Sequence, residues 1–281
     1  MGGYAGKILY IDLTSGNIET KPLDSKFARE YIGGLGFSTR IYLDLIKDTP
    51  EFDALSADNP FVLMTGPLTG MKMDAVARWT LGTKSPLTGL WGDSNIGGYF
   101  GAELKFAGYD GMVVTGEADK PTCIYIDDDT VRIRDANKYW GMDAYTANDE
   151  IIADYKGESR KSGQVLTIGP AGENLVRFAS LINKKGHAAG RTGVGAVWGA
   201  KKLKAIFVRG TGKLEAAHPE KLKDLRKELK ELYDGNITIE ALRAFGTASH
   251  MDVGIIAGDV PMKNWQQTEW DLFDEIGPVV Y

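Results

Sequence analysis

Cysteine is almost absent: among 281 residues only Cys123 carries a thiol. No disulfide can therefore close within the chain, which fits a reducing compartment. Cys123 sits in the alternating segment Cys123-Ile124-Tyr125-Ile126 and is expected to serve as a small core hydrophobe. Histidine is scarce too, with only His187, His218 and His250. No H-E-x-x-H, G-x-S-x-G, G-x-x-x-x-G-K-[ST] or paired-cysteine motif occurs, so zinc hydrolysis, serine hydrolysis and P-loop chemistry lack their signatures. Nor is there a run of about 18 apolar residues, or an opening charged segment followed by an apolar one. These absences predict a cytoplasmic protein with no membrane span. A net charge of −5 argues against a nucleic-acid partner.

Acidic residues are missing from two stretches, 75–92 and 174–214. The second holds nine Lys or Arg: Arg177, Lys184, Lys185, Arg191, Lys201, Lys202, Lys204, Arg209 and Lys213. In an acidic protein such an excess predicts a surface that meets an anion. Glycine, by contrast, is abundant at 35 residues, about twice the usual share. Its densest run is residues 188–201, where Gly190, Gly193, Gly195 and Gly199 are expected to bare the backbone to a ligand. A second glycine-rich element spans 92–111, with Asp93, Ser94 and Asn95 as helix-capping types ahead of Gly97-Gly98. Arg78 and Arg191 could each clamp a phosphate with a bidentate fork. His187, beside the glycine run, is a candidate donor to the same ligand.

Neither element is a dinucleotide fingerprint. Gly193-x-Gly195-x-x-x-Gly199 misses G-x-G-x-x-G by one residue, and no acidic residue closes a βαβ unit behind it. Three adjacent aspartates, Asp127 to Asp129, suit a solvated hairpin turn better than a calcium site.

Hairpins are expected at 7–22 and 122–134, and further strands at 61–64, 77–81, 111–115, 164–168, 175–182 and 205–208. Helices are expected at 25–31 (capped by Ser25), 97–106, 143–155, 218–233 and 239–245, with a loop-like aromatic tail from Val260 to Tyr281. The fold class is α+β: a β-rich domain of mixed or antiparallel sheets at 1–210, then the incomplete start of a helical domain at 211–281.

Several ordered blocks together resemble the aldehyde:ferredoxin oxidoreductase family of tungsten bis-pyranopterin enzymes. They are Tyr4-Ala5-Gly6-Lys7, Thr65-Gly66-Pro67-Leu68-Thr69-Gly70, Thr83-Lys84-Ser85-Pro86-Leu87-Thr88-Gly89 and Gly97-Gly98-Tyr99-Phe100-Gly101-Ala102-Glu103-Leu104-Lys105. Ile168-Gly169-Pro170-Ala171-Gly172-Glu173-Asn174, the 188–201 run and Lys263-Asn264-Trp265 complete the set. The resemblance covers essentially the whole chain.

It implies that Arg78, Asn95, Gly97, His187, Ala188, Gly190 and Arg191 contact the pterin cofactor. Backbone carbonyls of Asn95 and Ala188 would hold a magnesium ion bridging the pterin phosphates. His187 stands where family members often carry arginine. The implied activity is oxidation of aldehydes to carboxylic acids, with electrons leaving through a [4Fe–4S] cluster to ferredoxin or an electron-transfer subunit. A related branch reduces aromatic rings as coenzyme A thioesters, such as benzoyl-CoA, and a non-catalytic module for a phosphate-bearing ligand is a further alternative.

Members of the family are roughly double this length and carry a C-x-x-C-x-x-x-C motif. A cluster needs four thiolate-type ligands, so this chain, with its single cysteine, is not expected to ligate one. It is expected to be inactive alone and to need the enzyme's remaining domains. A homodimer is one assembly the resemblance allows.

Overall fold

The computed structural model describes residues 1–156, 163–268, 270–277 and 280. Two compact units are present, Met1–Pro219 and Glu220–Tyr281.

The first unit is built on two six-stranded mixed sheets. Sheet one contains β1 (Lys7–Asp12), β2 (Ile18–Pro22), β3 (Phe61–Thr65), β4 (Trp79–Lys84), β5 (Trp91–Ile96) and β6 (Gly111–Thr115), in the order β2-β1-β6-β3-β4-β5. Sheet two contains β7 (Thr122–Asp127), β8 (Thr130–Asp135), β9 (Gln164–Thr167), β10 (Leu181–Asn183), β11 (His187–Ala189) and β12 (Leu203–Arg209), in the order β11-β10-β9-β12-β7-β8. Parallel pairings β1–β6 and β12–β7 sit within otherwise antiparallel ladders. This is the α+β class expected from the sequence.

Period-two alternation decides which side chains go where. Leu9, Ile11, Leu63, Leu81, Met112 and Val114 of sheet one join Ile124, Ile126, Leu166, Ile206 and Val208 of sheet two in one core. Helices α3 (Phe100–Phe106) and α6 (Val194–Ala200) add Phe100, Leu104, Val194 and Trp198 to it. The opposite face of sheet one, Ile8, Val62, Met64 and Val113, packs on α1 (Ser25–Tyr31) and α2 (Leu35–Ile46) through Ala28, Phe37, Ile41 and Tyr42. The outer face of sheet two, Cys123, Tyr125, Val165 and Phe207, is covered by Ile151 and Tyr155 of α4 (Ala144–Lys156). Because both faces are covered, β3 and most of β12 are buried throughout and read as continuous apolar runs.

Several boundaries differ from expectation. Helix α1 is capped by Asp24, whose side chain accepts from the Phe27 N–H, and not by Ser25. Helix α2 was not anticipated. Asp93, Ser94 and Asn95 do not cap a helix: they lie in β5, paired with β4 through Gly82↔Asp93, Leu81↔Ser94 and Thr80↔Asn95. The helix expected from residue 97 starts at Phe100, after Gly98 turns the chain at φ +83°. The strand expected at 175–182 is reduced to β10, and the short helix α5 (Pro170–Glu173) precedes it.

The second unit carries most of α7 (Pro219–Tyr233), then α8 (Ile237–Phe245) and α9 (Met251–Ala257), and neither α7 nor α8 buries a residue. Asn236 caps α8 by accepting from the Thr238 and Ile239 N–H groups. In the tail, Met262 and Gln267 form a bridge around Lys263, Asn264 and Trp265, all three at positive φ. Tyr281, named with the aromatic tail, lies outside the described residues.

Candidate functional site

Strands β5 and β11 are edge strands of different sheets, and they meet. Thr192, just past β11, donates its hydroxyl to the Asp93 carbonyl at 2.8 Å, and the Arg191 N–H reaches Ser94 Oγ at 3.5 Å. A β-carbon on Gly92 would approach the Thr192 methyl to 2.9 Å. The His187 ring lies against Gly97 and Gly98, and Lys184 Nζ sits 4.6 Å above the Tyr99 ring. Thus the two glycine-rich elements do come together. Arg78 adjoins them from the other flank, one residue before Trp79, which pairs with Ile96.

Asn95, Arg78, His187, Ala188, Gly190 and Arg191 are all exposed, and Gly97 is half-buried. The Asn95 side chain is already engaged: its Oδ1 accepts from Thr80 Oγ1 at 2.9 Å and its Nδ2 donates to Asp93 Oδ2 at 3.1 Å. Carbonyl directions alternate along a strand. Since the Asp93 carbonyl points off the free edge to Thr192, that of Asn95, two residues on, points off the same edge. Thr192 itself is a non-glycine residue at φ 77°, a left-handed conformation secured by its hydrogen bond to β5.

Charge sorts differently from the sequence reading. Of the nine cations in the acid-free stretch, five are engaged by distant groups: Lys185 with Asp149, Lys202 with Glu117, Lys204 with Glu173, Arg209 with Asp127, and Lys201 with the Ala57 and Gly116 carbonyls. Lys184 lies over Tyr99. Among the described residues, the Arg78 and Arg191 guanidinium groups have no ion pair or hydrogen bond. Lys201 is buried, and with no carboxylate in contact among the described residues its ammonium is pushed down to about 8 by burial.

The glycines also divide. β-Carbons on Gly193 and Gly199 would overlap the Arg177 and Gly172 carbonyl oxygens, and one on Gly195 would lie 2.8 Å from the Ala179 oxygen. These three seat α6 against the segment from α5 to β10 and do not bare backbone to a ligand. Gly190 alone of the four has open space beside it. Helix α3 has Tyr99 at its N-cap position, with no side-chain cap hydrogen bond, instead of the capping residues expected at 93–95.

Elsewhere, the aspartate triplet is tied to protein groups: Asp127 to Arg209, Asp128 to Thr211 and Asp129 to Lys7. The buried Cys123 thiol is raised to about 12 by burial and is not a nucleophile. Sequence reasoning missed Thr192 and Asn183, which touch β5 and Gly98, because nothing local distinguishes them from ordinary turn and strand residues.

The family model for the aldehyde ferredoxin oxidoreductase N-terminal domain matches residues 8–210. Over 267 residues, 95% of this chain and 43% of the relative, the sequence is 42% identical to the tungsten-containing aldehyde ferredoxin oxidoreductase of Pyrococcus horikoshii. It is 36% identical over 288 residues to the aliphatic sulfonate oxidoreductase, WOR-like subunit, of Pyrococcus furiosus, covering 96% of this chain and 45% of that one. Among solved structures, the active site complex BamBC of benzoyl coenzyme A reductase with 1,5 dienoyl-CoA superposes with a TM-score of 0.78 at 38% identity, over 83% of this chain and 35% of that one. The chain belongs to the aldehyde ferredoxin oxidoreductase family. It spans less than half the length of these relatives.

Proposed function

We propose that residues 1–210 form the cofactor-binding base of a tungsten oxidoreductase and that 211–281 begin its helical domain. The observation carrying this reading is the meeting of the two glycine-rich elements along β5 and β11, with the guanidinium groups of Arg78 and Arg191 unpartnered among the described residues. The residues fit a phosphate-bearing bis-pyranopterin. Arg78 and Arg191 would neutralise its phosphates, Gly190 leaves open space for its rings, Gly97 lies beside them against His187, and the main-chain carbonyls of Asn95 and Ala188 would ligate magnesium. His187 contacts the same ligand. When bound, the metal–dithiolene group supplies the redox chemistry, while this chain's residues hold and orient it.

The substrate class is an aldehyde, oxidised to a carboxylic acid, with ferredoxin or an electron-transfer subunit as acceptor. The iron–sulfur cluster must be ligated by cysteines other than Cys123, whose thiol is buried in sheet two. The structural likeness to benzoyl coenzyme A reductase favours acyl-CoA reduction as the second reading.

Chain produced in a host that makes tungstopterin is expected to carry tungsten and to release fluorescent pterin on oxidation. Purified chain without either would overturn the proposal. By itself the chain is expected to turn over no aldehyde, and measurable aldehyde oxidation by it would refute that part.

A further inference from the structure

Asn183 ends β10 with its side chain fully buried. Its Nδ2 donates to the Val165 carbonyl at 2.8 Å, whereas its Oδ1 is buried with no hydrogen-bond partner among the described residues. Exchanging the amide oxygen and nitrogen would set two acceptors against each other, so chemistry fixes this orientation. Oδ1 points at Gly98, where a β-carbon would overlap it and would lie 2.9 Å from His187 Cδ2. Asn183 and His187 are direct cross-strand partners in β10 and β11, so their side chains stand side by side on one face.

The His187 ring also lacks a hydrogen bond among the described residues. Its Nδ1 faces Gly97, 3.3 Å from where a β-carbon would sit, and its Cδ2 faces Gly98. A buried, orphaned acceptor and the carbon side of the His187 ring thus both lie against Gly98, while the ring's Nδ1 lies toward Gly97. Half a turn about the Cβ–Cγ bond exchanges Nδ1 and Cδ2 while the ring outline stays the same.

We propose that Asn183 is a positioning residue for His187: its Oδ1 accepts from Nδ1–H of the flipped ring and so leaves Nε2 as an unprotonated acceptor toward the ligand. A neutral imidazole carries one proton, and the partner of one nitrogen sets the role of the other. The inference rests on the cofactor reading above and assigns its contacts more finely. His187 recognises an N–H of a nitrogen heterocycle such as a pterin, and the phosphates fall to Arg78 and Arg191. A single rotamer change satisfies both orphaned groups without moving the backbone.

Long-range proton–nitrogen correlation spectra of the full chain, under alkaline conditions that keep its rings neutral, report which His187 nitrogen is protonated. A His187→Gln variant assigns the signals. The Nδ1–H form is expected to exceed the Nε2–H form by about fivefold, and in Asn183→Ala that ratio is expected to fall below one. Addition of neopterin, a simple pterin, is expected to shift the Nε2 signal of the parent chain. A parent with mainly Nε2–H, or an Nε2 signal indifferent to neopterin, overturns the inference. If Asn183→Ala does not fold, the parent spectra decide alone. The cofactor reading fails separately, on tungsten content, so the two failures are told apart.

Discussion

Gly199 and Gly172 touch backbone to backbone: a β-carbon on Gly199 would overlap the Gly172 carbonyl oxygen. This contact locks α6 onto α5 and thereby fixes the Arg191–Gly193 segment that leads into α6. Replacing Gly199 by alanine is expected to cost about 1–3 kcal/mol through overpacking, despite alanine's better helix propensity. Gly190→Ala, with open space at that position, is expected to stay within about 0.5 kcal/mol of the parent. Urea midpoints of the two variants separate them.

Lys204 and Glu173 form a buried pair at 2.5 Å, and Lys204 also donates to the Met142 carbonyl at 2.8 Å. Lys204→Met strands a buried carboxylate and is expected to destabilise by about 3–5 kcal/mol. Adding Glu173→Leu is expected to recover part of that loss. Chemical denaturation of the single and double variants measures both.

Arg78→Ala and Arg191→Ala remove exposed side chains with no protein partner among the described residues. Each is expected to leave the melting temperature of the cofactor-free chain unchanged while lowering the tungsten and pterin content of loaded chain, and the double variant to bring both near zero. Elemental analysis beside a melting curve checks this. A lower melting temperature in the cofactor-free variants would assign the arginines a structural role instead.

Lys201 gives a pH dependence with a definite sign. Its folded value of about 8 lies below the ordinary 10.5 because burial penalises the charged form. Between those limits the unfolded chain binds the extra proton, so this group's contribution to stability rises with pH across the window and is most unfavourable below about 8. The full swing is about 3 kcal/mol. Denaturation midpoints of the parent and Lys201→Met across this range are expected to diverge in the parent's favour as pH increases.

The hairpins β1–β2 and β7–β8 were legible because turn residues interrupt clear alternation: Gly16 at φ 72° and Asp128 at φ 48° sit where such turns require them. Strand β5 was hidden because Asp93, Ser94 and Asn95 are cap-forming residues, and only pairing with β4 makes them a strand. The acid-free basic stretch misled for a related reason. Asp149, Asp127 and Glu117 pair with three of its cations from 36 to 85 positions away, distances at which local composition carries no information. Two arginines in acid-free stretches beside two glycine-rich elements pointed to one ligand, but the individual positions Asn95, Gly97 and Ala188 came only through family likeness, since no local spacing singles them out.

The exposed face is split between two sheets, with β5 contributed by one and β11 by the other. A molecule seated there would act as a rivet between layers that otherwise share only apolar side chains and a few polar ties such as Thr192 to Asp93. Loading would then merge their melting into one cooperative event, and emptying the seam would let the β10–β11 margin open first.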